Sequence, residues 1–268
     1  DFDDATRFLE KKKLVEDQET RRKAQEYEAR LERSRFSAIL PFGKRIHFAE
    51  ISERLASHLG IELSAAKKRI RAGKGLLLTD LTYDEMVDFY RSLLDCPQKV
   101  LFILQSDDMD YPEVQEVLSA KPAERHMRAT TARAQFRVAW DSVLFISAGK
   151  VRIPAQGPEP FLLVDLFCNA PLRHLRLCEN TFSFQSWGGA PGASPHERLK
   201  NVALAIQEKS ALSVASHTLD LLRKKDRTDM QVFESIAEYE KYNRWLLLCH
   251  LGETIDPARR RAKAATNF

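Results

Sequence analysis

The sequence predicts an α+β protein: a long N-terminal helix, a small β-α-α-β-α-β module, an antiparallel β domain closed by a C-terminal helix, and a helical C-terminal extension. Three observations carry this. From Asp4 to Arg35 neither Pro nor Gly interrupts a run of charges of both signs, which is a helical pattern. Between Lys44 and Gln105 short apolar runs alternate with stretches of helical period. From Arg133 to Cys178 β-rich runs are divided by Gly and Pro clusters, the punctuation of an antiparallel meander. With 268 residues, 44% hydrophobic and 30% charged, the chain has material for two small cores. That composition sets aside wholesale disorder and wholesale membrane embedding.

Residues 1–40 are assigned to the charged helix. About 30 residues without a breaker make a rod of roughly 45 Å. Glu16–Lys23 contains no apolar residue, so the middle of the rod faces solvent or a polar partner. Pro41-Phe42-Gly43 ends it. Residues 44–106 form the module, with Ile46 and Phe48 as its first strand. Phe48, Ile51, Leu55 and Leu59 then follow at helical spacing with Gly60 as C-cap, and Ser64–Ala72 is a second helix ending at Gly73. Leu76–Leu78 is a strand, Tyr83–Leu94 a helix with Met86, Phe89 and Leu93 inward, and Lys99–Gln105 the closing strand.

Within this module, Ile51–Ile70, centred on Leu59-Gly60-Ile61-x-Leu63-Ser64-x-Ala66-Lys67, resembles the C-terminal domain of the bacterial ribosomal stalk protein. The Clp protease adaptor shares that fold. The resemblance spans residues 44–105 and implies docking of another protein onto an exposed helix face. The turn Ile70-Arg71-Ala72-Gly73-Lys74-Gly75 departs from the stalk pattern, and the acidic signature by which the Clp adaptor grips N-terminal residues is absent. No particular partner is therefore implied.

Residues 107–127 read as a linker with one short helix around Pro112–Leu118. Residues 128–211 form the β domain, with strands at Arg133–Val138, Ser142–Ala148, Phe161–Cys168 and Leu172–Cys178. Its closing helix, Pro195–Ser210, places Leu199, Val202, Ala203 and Ile206 on one face. With Trp140 entering a strand and Trp187 before the helix, the pattern is similar to a pleckstrin-homology-type barrel, and an α+β sandwich fits it nearly as well. Residues 212–256 are a helical extension with segments Leu212–Leu222 and Val232–Leu251. Residues 257–268 are a basic tail.

The net charge of +4 is concentrated in Lys67–Lys74, Arg223–Arg227 and Arg259–Lys263, which is compatible with acidic partners of several kinds. Lys67, Arg71 and Lys74 share one helix face, and with Lys68 they are the candidate contact for an acidic protein surface or for phosphates. Ala72-Gly73-Lys74-Gly75 is no phosphate loop, because Lys68 stands where the first Gly would be and Gly75 where Ser or Thr is required. Cys168, His174 and Cys178 lie on one hairpin but lack a fourth ligand, so no metal is expected. No catalytic motif is present, and neither a catalytic residue nor a cofactor is assigned. On the last helix, Ile236 is placed in the core, while Tyr239, Tyr242 and Trp245 sweep to a neighbouring side and are assigned to a protein partner or a homo-oligomer.

These readings favour a non-enzymatic adaptor or scaffold that binds other proteins. The alternatives are a nucleic-acid or ribosome-associated factor, and a peripheral membrane binder using Arg173 and Arg176 of the β domain. Four cysteines without C-x-x-C spacing suggest free thiols in the cytoplasm. The apolar runs Val100–Leu104 and Val143–Ile146 are too short to span a bilayer. The chain opens at Asp1 without Met or signal pattern, which suits a fragment whose upstream anchor would supply membrane contact.

Overall fold

The breaker-free N-terminus forms one helix, α1 (Phe2–Arg33), in the computed structural model, which describes residues 2–41, 46–105, 111–153, 159–169, 171–187, 192–210 and 232–256, with side chains from Gln18 onward. The expected helix at Leu212–Leu222, the basic run Arg223–Arg227 and the tail lie outside those residues. Only the end of α1 is anchored by what is described: Leu31 is buried in the first core, and the Arg30 guanidinium donates to Glu253 at 3.0 Å.

The helix stops earlier than expected, because the next residues are a strand. β1 (Arg35–Ile39) lies between β2 (Leu76–Leu81) and β3 (Leu101–Gln105) and is antiparallel to both. The element order of the module is as read, but its first strand is β1 and not Ile46–Phe48; Phe48 instead opens α2 (Phe48–Leu59). The reason is the pleat: Phe36, Ala38 and Leu40 turn to one core while Ile39 turns to another, so both faces of this strand are buried. The helices α2, α3 (Leu63–Gly73) and α4 (Tyr83–Ser92) cover the first of these faces. A capping box starts α4, with Glu85 N–H bonding Thr82 Oγ1 and the Glu85 carboxylate accepting from Thr82 N–H, satisfying donors that a helix start otherwise leaves open.

The linker is also a correction. Residues 114–131 are not helical but form β4 (Val114–Pro122) and β5 (His126–Thr131), continuing into β6 (Gln135–Ala139). After a single 3-10 turn at Trp140–Ser142 come β7 (Val143–Val151), β8 (Phe161–Cys168) and β9 (Arg173–Cys178). Two antiparallel meanders are thus joined by parallel pairing of β4 with β9. α5 (Pro195–Ser210) buries Leu199, Val202, Ala203 and Ile206 on this sheet, as its periodicity predicts.

The C-terminal segment then joins the two halves. β10 (Val232–Phe233) pairs with β7, α6 (Ile236–Leu251) follows, and β11 (Glu253–Ile255) pairs with β3. Among the described residues this gives a four-stranded sheet, β11-β3-β1-β2, and a seven-stranded sheet, β10-β7-β8-β9-β4-β5-β6. The fold is α+β. α6 lies between the sheets, and its core includes Ile39 and Ile103 of one together with Phe145, Leu163 and Phe167 of the other. A helix covered on two sides must be apolar on two sides, which explains why Tyr239, Tyr242, Trp245, Leu246, Leu247 and Leu248 are all buried. Close approach demands two glycines here. A Cβ on Gly75, whose φ is +111°, would lie 2.4 Å from the Trp245 ring, and one on Gly149 would lie 2.6 Å from Phe233. No helix among the described residues is long and apolar enough to cross a membrane.

Candidate functional site: a sealed ion cluster and an open basic cleft

The aromatic residues assigned to a partner are occupied by the chain itself. Tyr239 is fully buried, Tyr242 is 7% exposed and Trp245 is 9% exposed. Trp245 Nε1–H donates to the Leu40 carbonyl at 2.8 Å, fastening α6 to the end of β1. Ile236, expected in the core, is only half-buried. Two-sided packing produces this reversal, since the neighbouring side of α6 faces the second sheet rather than solvent.

The buried cluster beneath α6 begins with Asp165 on β8. Its carboxylate accepts from Arg176 Nε at 2.9 Å, Arg176 Nη2 at 2.8 Å, His174 Nε2 at 2.6 Å and Asn243 Nδ2 at 2.7 Å. Ser147 gives its hydrogen to Asn243 Oδ1, so the Tyr239 hydroxyl donates to Ser147 Oγ at 2.8 Å. Arg176 also reaches Glu240 at 3.2 Å. The His174 ring is stacked on Phe167 at 4.3 Å and meets Tyr111 edge-on at 5.3 Å. Burial pushes the Asp165 carboxyl up, but the Arg176 charge and the hydrogen bonds from His174 and Arg176 outweigh it and hold the group below the usual carboxylate range. Burial, then the Asp165 charge, drives the Tyr239 hydroxyl well above its ordinary value, so it stays a neutral donor.

This cluster is a fastening. Ser147, Asp165, His174, Tyr239 and Asn243 are all fully buried, and Asp165 is compensated by the Arg176 charge from β9 and hydrogen-bonded by the Asn243 amide from α6. Arg176, offered to lipid headgroups by the membrane reading, is 8% exposed and committed to Asp165. Arg173 lies over the Phe136 ring at 4.9 Å. The hairpin residues weighed as metal ligands diverge: Cys168 belongs to the α5 core, Cys178 to the α6 core, and His174 is bonded to Asp165.

The predicted basic face is also partly spent. Lys74 ends α3 in the left-handed conformation, φ 49°, and its ammonium pairs with Glu238 of α6 at 2.8 Å above the Phe233 ring. Arg71 lies over the Phe48 ring at 5.1 Å. Lys67 is half-buried, and Lys68 is exposed on the helix surface.

A different set of cations converges. A cleft of about 300 Å³ is lined by Arg69, Ala72 and Gly73 of α3, by Leu76–Thr79 of β2, and by Lys241 and Arg244 of α6. All three cations are exposed, and among the described residues none has an ion-pair partner. Glu238 is already bonded to Lys74; burial raises its carboxyl, but the Lys74 hydrogen bond first, and the Lys241 charge last, bring it below its ordinary value. Arg69 comes from the helical face of the first sheet and Lys241 and Arg244 from its opposite face, so the cleft exists only because α6 is docked. The dense run around Arg69 was visible in the sequence, but the spatial partners on α6 lie more than a hundred residues away and carried no motif.

No family model, curated protein or solved structure significantly matches this chain. The geometry of the cleft is therefore the basis of the functional reading.

Proposed function

We propose that this protein is a non-enzymatic adaptor that receives an acidic protein partner in the cleft between α3, β2 and α6. One observation carries the reading: three exposed cations from two parts of the chain, none with an ion-pair partner among the described residues, surround a concave site also lined by Leu76–Leu78. Placing three like charges around a cleft costs stability unless something opposes them, and a carboxylate-bearing partner does so. Protein is favoured over nucleic acid because the lining offers no aromatic side chain for bases to stack on.

The test compares the full chain with Arg69→Glu/Arg244→Glu by fluorescence anisotropy, using a labelled Glu-rich peptide and a labelled single-stranded RNA at matched net charge and low salt. The peptide is expected to bind the parent and to lose at least about tenfold in affinity with the variant, as for removal of about 1.4 kcal/mol. Retention of RNA but not peptide would reverse the choice of partner. Equal peptide binding by parent and variant would place the binding surface elsewhere.

A further inference from the structure

We infer that the outer face of strands β4, β5 and β6 holds the phosphates of duplex nucleic acid, through a row of three cations that the sheet register assembles. This is a second surface, independent of the cleft. Ala120, Met127, Ala129 and Val138 are buried in the core shared with α5, and Phe136 packs against it. Because successive side chains of a strand point to opposite faces, Lys121, Arg128 and Arg137 face away from that core, and all three are exposed. Lys121 lies opposite Arg128 across β4 and β5, and Arg128 lies opposite Arg137 across β5 and β6. The pairing of β5 with β6 runs without a shift, and the irregularity between β4 and β5 falls between Val117 and Ser119, away from the row. Three cations therefore face one another on neighbouring strands, and among the described residues none has an ion-pair partner.

Like charges directly opposite on adjacent strands destabilise a sheet, so the row costs the fold something that an anionic ligand removes. Its surroundings add to the charge. Between Ser119 and Ala139 the chain carries five Lys or Arg and a single acid, Glu124. Arg125 and Arg133, both exposed, stand in the turns at the two ends of β5. Four of those five cations are arginines, whose planar fork bonds phosphate oxygens in pairs. Beside the row, Ser119, Thr130 and Gln135 are aligned on the same face and offer hydrogen bonds to sugar and phosphate. The two rows hold no aromatic ring on which the bases of a single strand could stack; a duplex, whose bases stack on each other, needs none. Nor do they hold a large apolar side chain to enter a bilayer or anchor a protein interface. The row spans two strand spacings, roughly 10 Å, which the long side chains extend toward the two backbones bordering a groove about 12 Å wide. In the sequence these cations are spread over residues 121–137, and only the register sets them side by side.

The experiment measures binding of a labelled mixed-sequence DNA duplex to the full chain by fluorescence anisotropy, from low to moderate salt, and compares it with Lys121→Gln/Arg128→Gln/Arg137→Gln. The parent should bind at low salt. The variant should lose at least about tenfold in affinity there, and its slope of log affinity against log salt should flatten by about 2.7, as for three lost phosphate contacts. Its melting temperature should equal or exceed the parent's, since the facing like charges are gone. If it falls instead, Arg128→Gln alone, which relieves both facing pairs, decides by a flattening of about 0.9. No duplex binding at low salt, or equal slopes for parent and variant, overturns the inference. If phosphatidylserine vesicles bind the parent but not the variant while the duplex binds neither, the face belongs to a membrane and the choice of nucleic acid is wrong. If Arg69→Glu/Arg244→Glu abolishes duplex binding and the triple variant retains it, the phosphates go to the cleft and this face is not the site.

Discussion

Arg176 and Arg244 belong to the same residue type, lie near the same helix and have opposite fates. Arg176 is sealed against Asp165 between β9 and α6, whereas Arg244 stands open at the β2 edge with no ion-pair partner among the described residues. In the sealed region every charge has to be compensated inside the protein, since desolvation without a partner costs several kcal/mol. In the open cleft water compensates the charges. The sealed cluster therefore holds α6 in place, and the open cleft becomes available as a consequence of that placement.

The largest expected effect comes from breaking the sealed side. Asp165→Ala leaves Arg176 and His174 without their shared acceptor, and chemical denaturation should show a loss of about 3–5 kcal/mol. A loss under about 1 kcal/mol would mean that the cluster does not fasten α6. Close behind, Trp245→Ala and Tyr242→Ala should each cost about 3–5 kcal/mol as large-to-small truncations in the core between the sheets. Ile236→Ala, at a half-buried position, should cost less than either. If Tyr242→Ala instead melts like the parent and alters only light scattering, the aromatic side belongs to a partner after all.

Acid offers a graded comparison. The folded Asp165 carboxyl titrates below its unfolded value of about 3.9, so the unfolded chain binds more protons between the two values. The stability from this group is present above that unfolded value and disappears as pH falls through the folded one. Denaturation midpoints should therefore include an Asp165-dependent loss confined to pH below about 4, and Asp165→Asn should remove that part of the slope. The smallest effect concerns the thiols. Burial pushes Cys168 up to about 12 and also raises Cys178. At pH 8 iodoacetamide should modify the half-buried Cys96 well before either, as mass spectrometry of timed digests would show. Simultaneous modification would indicate that the sheet opens on the labelling timescale.

Where one face of an element is buried, the sequence was readable. Pro195–Ser210 shows its apolar stripe at Leu199, Val202, Ala203 and Ile206, and these are the residues buried on the sheet. β4 and β5 were hidden because their inward positions include small or isolated apolar residues, Val117 and Ala120 on one and Met127 and Ala129 on the other, between polar outward ones. β1 was hidden by its neighbour: its uncharged run, Phe36–Leu40, directly follows a long helix, and two-sided burial erased the alternation that marks a strand.

The sequence by itself determined the α+β class, the run α2, α3, β2, α4 and β3 of the first module, the closing helix of the β domain and the density of cations around Arg69, because each is a property of neighbours along the chain. Only the tertiary structure decided that Tyr239, Tyr242 and Trp245 face inward, that Lys74 is consumed by Glu238, and that Arg69 shares a cleft with Lys241 and Arg244. Those outcomes depend on α6 being clasped between two sheets, with β10 and β11 pairing at either end. A helix's periodicity shows how many sides it can bury, but which surfaces cover those sides is set by packing between residues far apart in sequence.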